Sequence, residues 1–143
     1  LRARQSAEVI SRALALPVQV IPAFCERHVG VFEGLTQAEA RIRYPELWAR
    51  NITRRWDEAP TDGESLDAVI ARVSSGLITL ADEARGERVL LVAHGVVAKV
   101  IRALTSSGFA DFFEWQLHNG GRLVANIPQA QSPIRFHRPA GQD

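Results

Sequence analysis

The segment that most constrains the fold is residues 89–93, Val-Leu-Leu-Val-Ala, an apolar run of strand length that ends in His94-Gly95. A strand that is apolar on both faces is typical of a parallel sheet covered by helices on both sides. A clear apolar stripe of helical period precedes it over residues 66–84, and an apolar helix is predicted after it over residues 96–104. This order predicts an α/β fold, a three-layer sandwich whose mostly parallel sheet is flanked by helices.

The remaining pattern supplies further helices and shorter strands. Pro17 ends a predicted helix over residues 2–14, and Thr36 with Glu39 forms a capping box for a helix that runs to Arg43. We expect a second capping box at Thr61 and Glu64. Short helices are predicted over residues 45–52 and 109–115, and further strands over residues 18–21, 123–127 and 134–137.

Length and composition favour one globular domain. The chain has 143 residues, of which 46% are apolar and 23% charged, and we assign residues 1–137 to a single domain and residues 138–143 to a tail. A formal charge of +1 argues against a nucleic-acid partner. Cys25 is the only cysteine, which excludes an intramolecular disulfide and a multi-cysteine zinc site. Without a membrane helix or a signal-peptide pattern in the sequence, we expect a cytoplasmic protein.

The chain contains no Met and opens with Leu1, where a helix begins without a capping residue. We therefore expect that residue 1 is not the first residue of the gene product and that the domain is incomplete at its N-terminus. The loss of a neighbouring central strand would expose one edge of residues 89–93. An exposed sheet edge is also compatible with a homodimer.

Three features could carry chemistry. His94 lies at the carboxyl end of a predicted buried strand, where open α/β sheets bind ligands, and Gly95 frees the amides of the next helix for an anion. Glu26 lies in a loop that mixes charges with glycines and could act as a general acid. Arg2 and Arg4 lie in the first turn of the first helix, where their positive charge opposes the helix dipole. Arginine is tolerated at such a position if it faces an anion. Each feature also has a structural explanation. The histidine could cap a strand, the glutamate could be a solvated carboxylate or a partner for Arg27, and the arginines could simply be exposed.

Four ordered motifs make the chain resemble the histidine phosphatase superfamily, the branch that includes cofactor-dependent phosphoglycerate mutase. Residues 2–7 are similar to its Arg-Ala-x-x-Thr-Ala helix start, with Ser6 in place of Thr. Residues 26–35 are similar to its Glu-x-x-x-Gly-x-x-Glu-Gly-Leu loop, and residues 60–65 to its Pro-x-Gly-Glu-Ser helix start. Residues 91–95 are similar to its strand that ends in His-Gly.

The resemblance implies catalysis through a phosphohistidine. In this family one histidine attacks the phosphoryl group, while a second histidine and two arginines hold its oxygens and an acidic residue protonates the leaving oxygen. By motif, His94 is the second histidine, Arg2 a phosphate-binding arginine and Glu26 the proton donor. The family requires no metal, and we expect no cofactor.

One family motif is absent from residues 1–143. The nucleophile belongs to an Arg-His-Gly motif upstream of the position that Arg2 matches, and this chain has no Arg-His-Gly. Arg27-His28-Val29-Gly30 is one residue too long and lies inside the proton-donor loop, so we interpret His28 as a loop residue beside the substrate.

The connection between the second and third motifs decides between hydrolysis and transfer. Only residues 36–59 separate Leu35 from Pro60, whereas the mutases carry a longer insertion that covers the site and limits water access. We therefore expect a phosphatase acting on a small phosphorylated metabolite. Phosphoglycerate mutase-type transfer is the alternative, with Arg50, Arg54 and Arg55 binding a second acidic group or forming a solvated basic turn. A chain that truly starts at Leu1 could only bind phosphate without catalysis.

Overall fold

The computed structural model describes residues 1–127, and its regular elements are helical. The α-helices are α1 (Arg2–Leu14), α2 (Gln37–Arg43), α3 (Pro45–Ala49), α4 (Leu66–Glu83) and α5 (Gly95–Arg102). Short 3-10 turns cover Pro22–Phe24, Gly30–Phe32 and Ile52–Arg54, and a π turn over Ala103–Ser107 extends α5. Among residues 1–127, no helix is long and apolar enough to cross a bilayer.

Helix α4 forms the centre of the main core. Its predicted stripe is confirmed, because six of its apolar residues are buried: Leu66, Val69, Ile70, Val73, Leu77 and Leu80. The predicted capping box at Thr61 and Glu64 is wrong. The hydroxyl of Ser65 caps the helix instead and accepts a hydrogen bond from the amide of Ala68 at 3.1 Å. Glu64 is not available for capping, because its carboxylate is paired with Arg72.

Helix α5 packs against α4 through Val97, Val100 and Ile101. Beyond it, the predicted helix over residues 109–115 is wrong, because residues 110–114 form turns. Aromatic packing explains these turns: the ring of Trp56 contacts three phenylalanine rings, those of Phe109, Phe112 and Phe113, at centroid distances of 5.8, 5.2 and 5.0 Å.

A smaller cluster of buried residues lies beneath α2 and α3 and consists of Phe32, Ala40 and Ile52. The capping box predicted at Thr36 and Glu39 is present in both directions and begins α2. Its backbone and side-chain hydrogen bonds from Thr36 lower the pKa of Glu39. Tyr44-Pro45 separates α2 from α3 as expected, because the residue before a proline avoids the α conformation.

The predicted strands do not form among the described residues. Residues 18–21, 89–93 and 123–127 carry no strand, and the prediction for residues 134–137 lies outside the described part of the chain. A strand requires a neighbouring backbone to complete its ladder of hydrogen bonds. Within residues 1–127, no backbone–backbone hydrogen bond reaches residues 89–93, and Val89 and Leu90 are 51% and 58% exposed. The run is apolar enough for a buried strand, but residues 1–127 supply no partner strand for it.

Helix α1 is confirmed over its predicted length, yet none of its residues is buried. Of its apolar residues, Ala7 and Ile10 are half-buried, whereas Ala13 and Leu14 are exposed. Its first turn therefore presents Arg2 to solvent.

Candidate active site

Glu26 and His94 are brought together at the N-terminus of α5. One carboxylate oxygen of Glu26, Oε2, accepts a hydrogen bond from the amide of Val96 at 3.3 Å, and Oε1 accepts one from the amide of Arg27 at 2.9 Å. His94 is the N-cap residue of α5, and its carbonyl accepts a hydrogen bond from the amide of Ala98. Glu26 and His94 are both half-buried and lie at the start of the same helix, although 68 residues separate them in the numbering.

The N-terminus of α5 suits an anion. The first amides of a helix have no partner within the helix, and its dipole places partial positive charge there. Gly95 is exposed, and a Cβ built on it would meet no heavy atom within 4 Å. The Glu26 carboxylate occupies part of this position, and the side of Gly95 is open to a second anion such as a phosphate group.

The loop that carries Glu26 is joined to the loop that precedes α4. The amide of Val31 donates to the carbonyl of Thr61 at 3.0 Å, and the amide of Glu64 donates to the carbonyl of His28 at 2.8 Å. Gly30 lies between these bonds with φ +57°, and a Cβ there would come within 1.9 Å of the Thr61 carbonyl oxygen. Only glycine allows the two loops to approach so closely.

Arg27 is buried and ties three segments together. Its Nε donates to the carbonyl of Glu64 at 2.9 Å, and its Nη1 donates to the carbonyl of Thr53 at 2.7 Å. Burial lowers the pKa of the guanidinium, and the carboxylates of Glu64 and Glu26 oppose that shift. The guanidinium does not hydrogen-bond the Glu26 carboxylate, so Glu26 is not simply its ion-pair partner.

The sequence reasoning missed one strong ion pair of this region, between Glu64 and Arg72. Arg72 Nε lies 2.8 Å from Glu64 Oε1, and these hydrogen bonds lower the pKa of Glu64. The available signal was the position of Arg72, the only basic residue of α4, eight residues after the glutamate of the Pro-x-Gly-Glu-Ser motif.

Two cavities lie away from Glu26 and His94. A groove of about 300 Å³ runs between residues 19–23 and the polar side of α4, which includes Ser75 and Thr79. A pocket of about 130 Å³ lies beside Phe32 and Trp48. Neither of these cavities is lined by Glu26 or His94. The described part of the chain has no cluster of three or more potential metal ligands.

Residues 1–136 match the family model of the histidine phosphatase superfamily, branch 1. The chain belongs to this superfamily. It is 34% identical over 102 residues to a metal-independent phosphoserine phosphatase of Arabidopsis thaliana, covering 70% of this chain and 43% of that protein. It is 36% identical over 99 residues to a 2,3-bisphosphoglycerate-dependent phosphoglycerate mutase of a Methylobacterium strain, covering 66% and 48%.

A solved structure shows the same relationship in three dimensions. The mycobacterial glucosyl-3-phosphoglycerate phosphatase Rv2419c superposes with a TM-score of 0.66 at 26% identity, covering 81% of this chain and 60% of that one. The fold class is thereby the α/β fold of the histidine phosphatases. The chain spans less than half the length of these two curated relatives and about 60% of the solved structure.

The structure does not bring Arg2 into contact with the other predicted site residues of this histidine phosphatase chain. Among the described residues, Arg2 is exposed and has no hydrogen bond or ion pair, whereas Arg4 pairs with Glu8 one turn along α1 at 2.9 Å. His28 is exposed beside the Glu26 loop, and its Nδ1 lies 2.9 Å from the carbonyl of Asp62.

The basic turn is largely paired. Arg50 forms an ion pair with Glu58, and Arg54 lies 3.3 Å from Glu114 while its guanidinium stacks 4.7 Å from the centroid of the Phe113 ring. Arg55 is half-buried and has no partner within residues 1–127. Trp56 is buried beneath this turn, and Trp48 is 37% exposed.

Proposed function

We propose that the protein carrying this chain is a metal-independent phosphomonoester hydrolase that acts through a phosphohistidine on a small phosphorylated metabolite. The observation that carries this proposal is the Glu26 carboxylate bonded to the amide of Val96 beside His94. This contact supports the roles that we assign, Glu26 as proton donor and His94 as a phosphate-binding residue at a helix terminus that favours anions.

The proposed reaction has two steps. A histidine nitrogen attacks phosphorus, the bond from phosphorus to the leaving oxygen breaks, and Glu26 gives its proton to that oxygen. Glu26 then takes a proton from water, whose oxygen attacks phosphorus as the bond to the histidine nitrogen breaks. His94 and Arg2 hold the phosphoryl oxygens in both steps and stabilise the charge that develops on them.

Residues 1–143 contain no Arg-His-Gly motif, and the chain covers 43% of the plant phosphatase. We therefore place the nucleophile in a part of the protein outside this chain. In that complete domain, residues 89–93 pair as a strand of the mostly parallel sheet in a three-layer sandwich, and residues 1–137 belong to it, with residues 138–143 as a tail. A cytoplasmic location, a homodimer and the absence of a nucleic-acid partner stay predictions of the sequence.

Phosphoglycerate mutase-type transfer is the second candidate. The half-buried Arg55, which has no partner within residues 1–127, favours it because a free guanidinium can bind a second acidic group of a substrate. The pairing of Arg50 and Arg54 with glutamates and the short connection over residues 36–59 support hydrolysis instead.

The test is to measure the intact mass of the full-length protein and then trap a phosphoryl group on histidine. After brief exposure to a phosphate ester and an alkaline quench, we expect a mass increase of one phosphoryl group that acid removes. Transfer of the phosphoryl group to water, with stoichiometric release of product, supports the phosphatase. Transfer of the phosphoryl group to a second substrate supports the mutase. A full-length protein of 15.8 kDa with no acid-labile phosphate would contradict catalysis and leave only phosphate binding.

A further inference from the structure

Arg72 of α4 uses all five N–H donors of its guanidinium. Two donate to the carboxylate of Glu64, and three donate to backbone carbonyls of residues 23–26. Nε and Nη2 donate to the two carboxylate oxygens of Glu64, at 2.8 and 3.0 Å. Nη1 donates to the carbonyls of Ala23 and Cys25, both at 2.8 Å, and Nη2 also donates to the carbonyl of Glu26 at 3.2 Å. Because the donors of a guanidinium lie in a fixed plane, the three bonds to these carbonyls hold the backbone of residues 23–26 against α4.

Glu64 binds the same loop on the C-terminal side of Glu26. Its Oε2 accepts a hydrogen bond from the amide of His28 at 3.0 Å, and its own amide donates to the carbonyl of His28. The backbone on both sides of Glu26 is thus bonded to one ion pair. The side chains of Arg72 and Glu64 are only 23% and 28% exposed, so water competes weakly for these bonds.

Glu26 is therefore located by two helices. Its carbonyl is bonded to Arg72 of α4, while its carboxylate reaches the amide of Val96 at the start of α5. Helices α4 and α5 pack against each other through the main core. A proton donor must lie within hydrogen-bond reach of the atom that it protonates, and a displacement of about 1 Å can cost about 100-fold in rate.

We propose that Arg72 is a positioning residue that sets the Glu26 carboxyl group against the N-terminus of α5. The effect of Arg72 on catalysis rests on the proposed function, whereas its effect on the Glu26–Val96 contact does not. Arg72 takes no part in binding the phosphoryl group. Its loss therefore affects the steps that need the proton from Glu26 more than it affects substrate affinity.

The experiment compares Arg72→Gln and Arg72→Lys in the full-length protein with the control Arg85→Gln, which removes an exposed arginine paired with Asp82. Hydrolysis of an alkyl phosphate and of p-nitrophenyl phosphate is measured for each variant, since the second substrate has a good leaving group that needs little protonation. The amide resonance of Val96 is followed by NMR, with Glu26→Ala as the reference for a lost side-chain contact.

We expect Arg72→Gln to lower kcat on the alkyl phosphate about 10-fold to 100-fold more than on p-nitrophenyl phosphate, with KM little changed. The Val96 resonance should move toward its position in Glu26→Ala. Arg72→Lys should restore part of both effects, because lysine keeps the charge but supplies three donors. Arg85→Gln should match the parent protein.

Equal losses on both substrates would overturn the positioning role, as would an unchanged Val96 resonance in Arg72→Gln or in Glu26→Ala. Unfolding of both Arg72 variants would also overturn it, in favour of a role in stability alone. A parent protein without phosphatase activity would contradict the proposed function, and the NMR measurement would then decide the positioning role by itself.

Discussion

The Glu26 carboxylate accepts a hydrogen bond from the amide of Val96 at 3.3 Å, a contact between residues 70 apart in sequence. It joins the loop of the second family motif to the helix that follows the fourth. A carboxylate at a helix N-terminus is favoured by the dipole by about 0.3–1 kcal/mol. The contact places the carboxyl group of Glu26 at the helix start whose N-cap residue is His94.

Replacing Glu26 with Gln in the full-length protein should slow hydrolysis of an alkyl phosphate more than that of p-nitrophenyl phosphate. The amide preserves the size of the side chain but cannot give up a proton to a poor leaving group. We expect a difference of about 10²-fold to 10⁴-fold in kcat between the two substrates, measured by release of phosphate and of nitrophenolate. Glu87→Gln changes an exposed glutamate as a control, and similar losses on both substrates in Glu26→Gln would remove it as the acid.

Replacing His94 with Ala should reduce turnover on both substrates by about 10²-fold to 10³-fold, which is typical when one preorganised group that stabilises transition-state charge is lost. The side chain is half-buried at the N-cap of α5 and makes no cap hydrogen bond, so the fold should survive. Circular dichroism and steady-state kinetics check the two statements. His118→Ala changes an exposed histidine as the matched control, and near-normal turnover of His94→Ala would contradict the assignment.

Arg2 offers a comparison within one helix. We expect Arg2→Ala to weaken turnover strongly, while Arg12→Ala, which removes another exposed arginine of α1, should have little effect. The physical reason is that the guanidinium fork matches the oxygens of a phosphoryl group. Kinetics of the two variants in the full-length protein measure the effect, and equal activity would show that Arg2 does not bind phosphate.

The sequence predicted the parts of the fold that depend on local pattern. The apolar stripe of α4 and the capping box at Thr36 are properties of neighbouring residues, and both are present in the structure. The turns at 110–114 could not be predicted, because Trp56, more than fifty residues away in the numbering, determines how these aromatic side chains pack. The run over residues 89–93 has strand composition, but strand formation depends on a neighbour that no local pattern supplies.

The candidate site divides in the same way. Glu26 and His94 could be found because each lies in a recognisable motif, and the structure shows that the two motifs meet. Arg72 was missed. Its position in α4 indicated a partner for Glu64, but its bonds to the backbone carbonyls of residues 23–26 carry no signature in side-chain identity. The ion pair itself was hidden by a competing interpretation of Glu64 as a capping residue.

The Glu64–Arg72 pair should make stability depend on pH in the acidic range. Hydrogen bonds from Arg72 lower the pKa of Glu64 from its ordinary value of 4.5 in the folded protein. The resulting stabilisation is therefore present above about pH 4.5 and is lost as the pH falls through the lowered pKa. We expect Glu64→Gln to lower the free energy of unfolding by about 2 kcal/mol at pH 7, and the difference from the parent protein to shrink below pH 4.5.

Urea unfolding of both proteins between pH 3 and pH 8 measures this difference. Glu87→Gln provides a control at an exposed glutamate, for which we expect no comparable change. A constant difference between Glu64→Gln and the parent protein across the whole range would show that the carboxylate charge does not contribute to the interaction.

Gly30→Ala should destabilise the protein more than Gly34→Ala, although both glycines have positive φ, +57° and +73°. At Gly34 a Cβ meets nothing within 4 Å, so only the conformational cost of about 1–2 kcal/mol applies. At Gly30 the same conformational cost applies, and in addition the new Cβ would lie 1.9 Å from the carbonyl oxygen of Thr61. This overlap forces apart the two loops that hold Glu26. We expect a total of about 3 kcal/mol or more from urea unfolding, together with a loss of alkyl phosphate hydrolysis that Gly34→Ala does not show. Equal destabilisation by the two variants would mean that the close approach of these loops does not hold the site together.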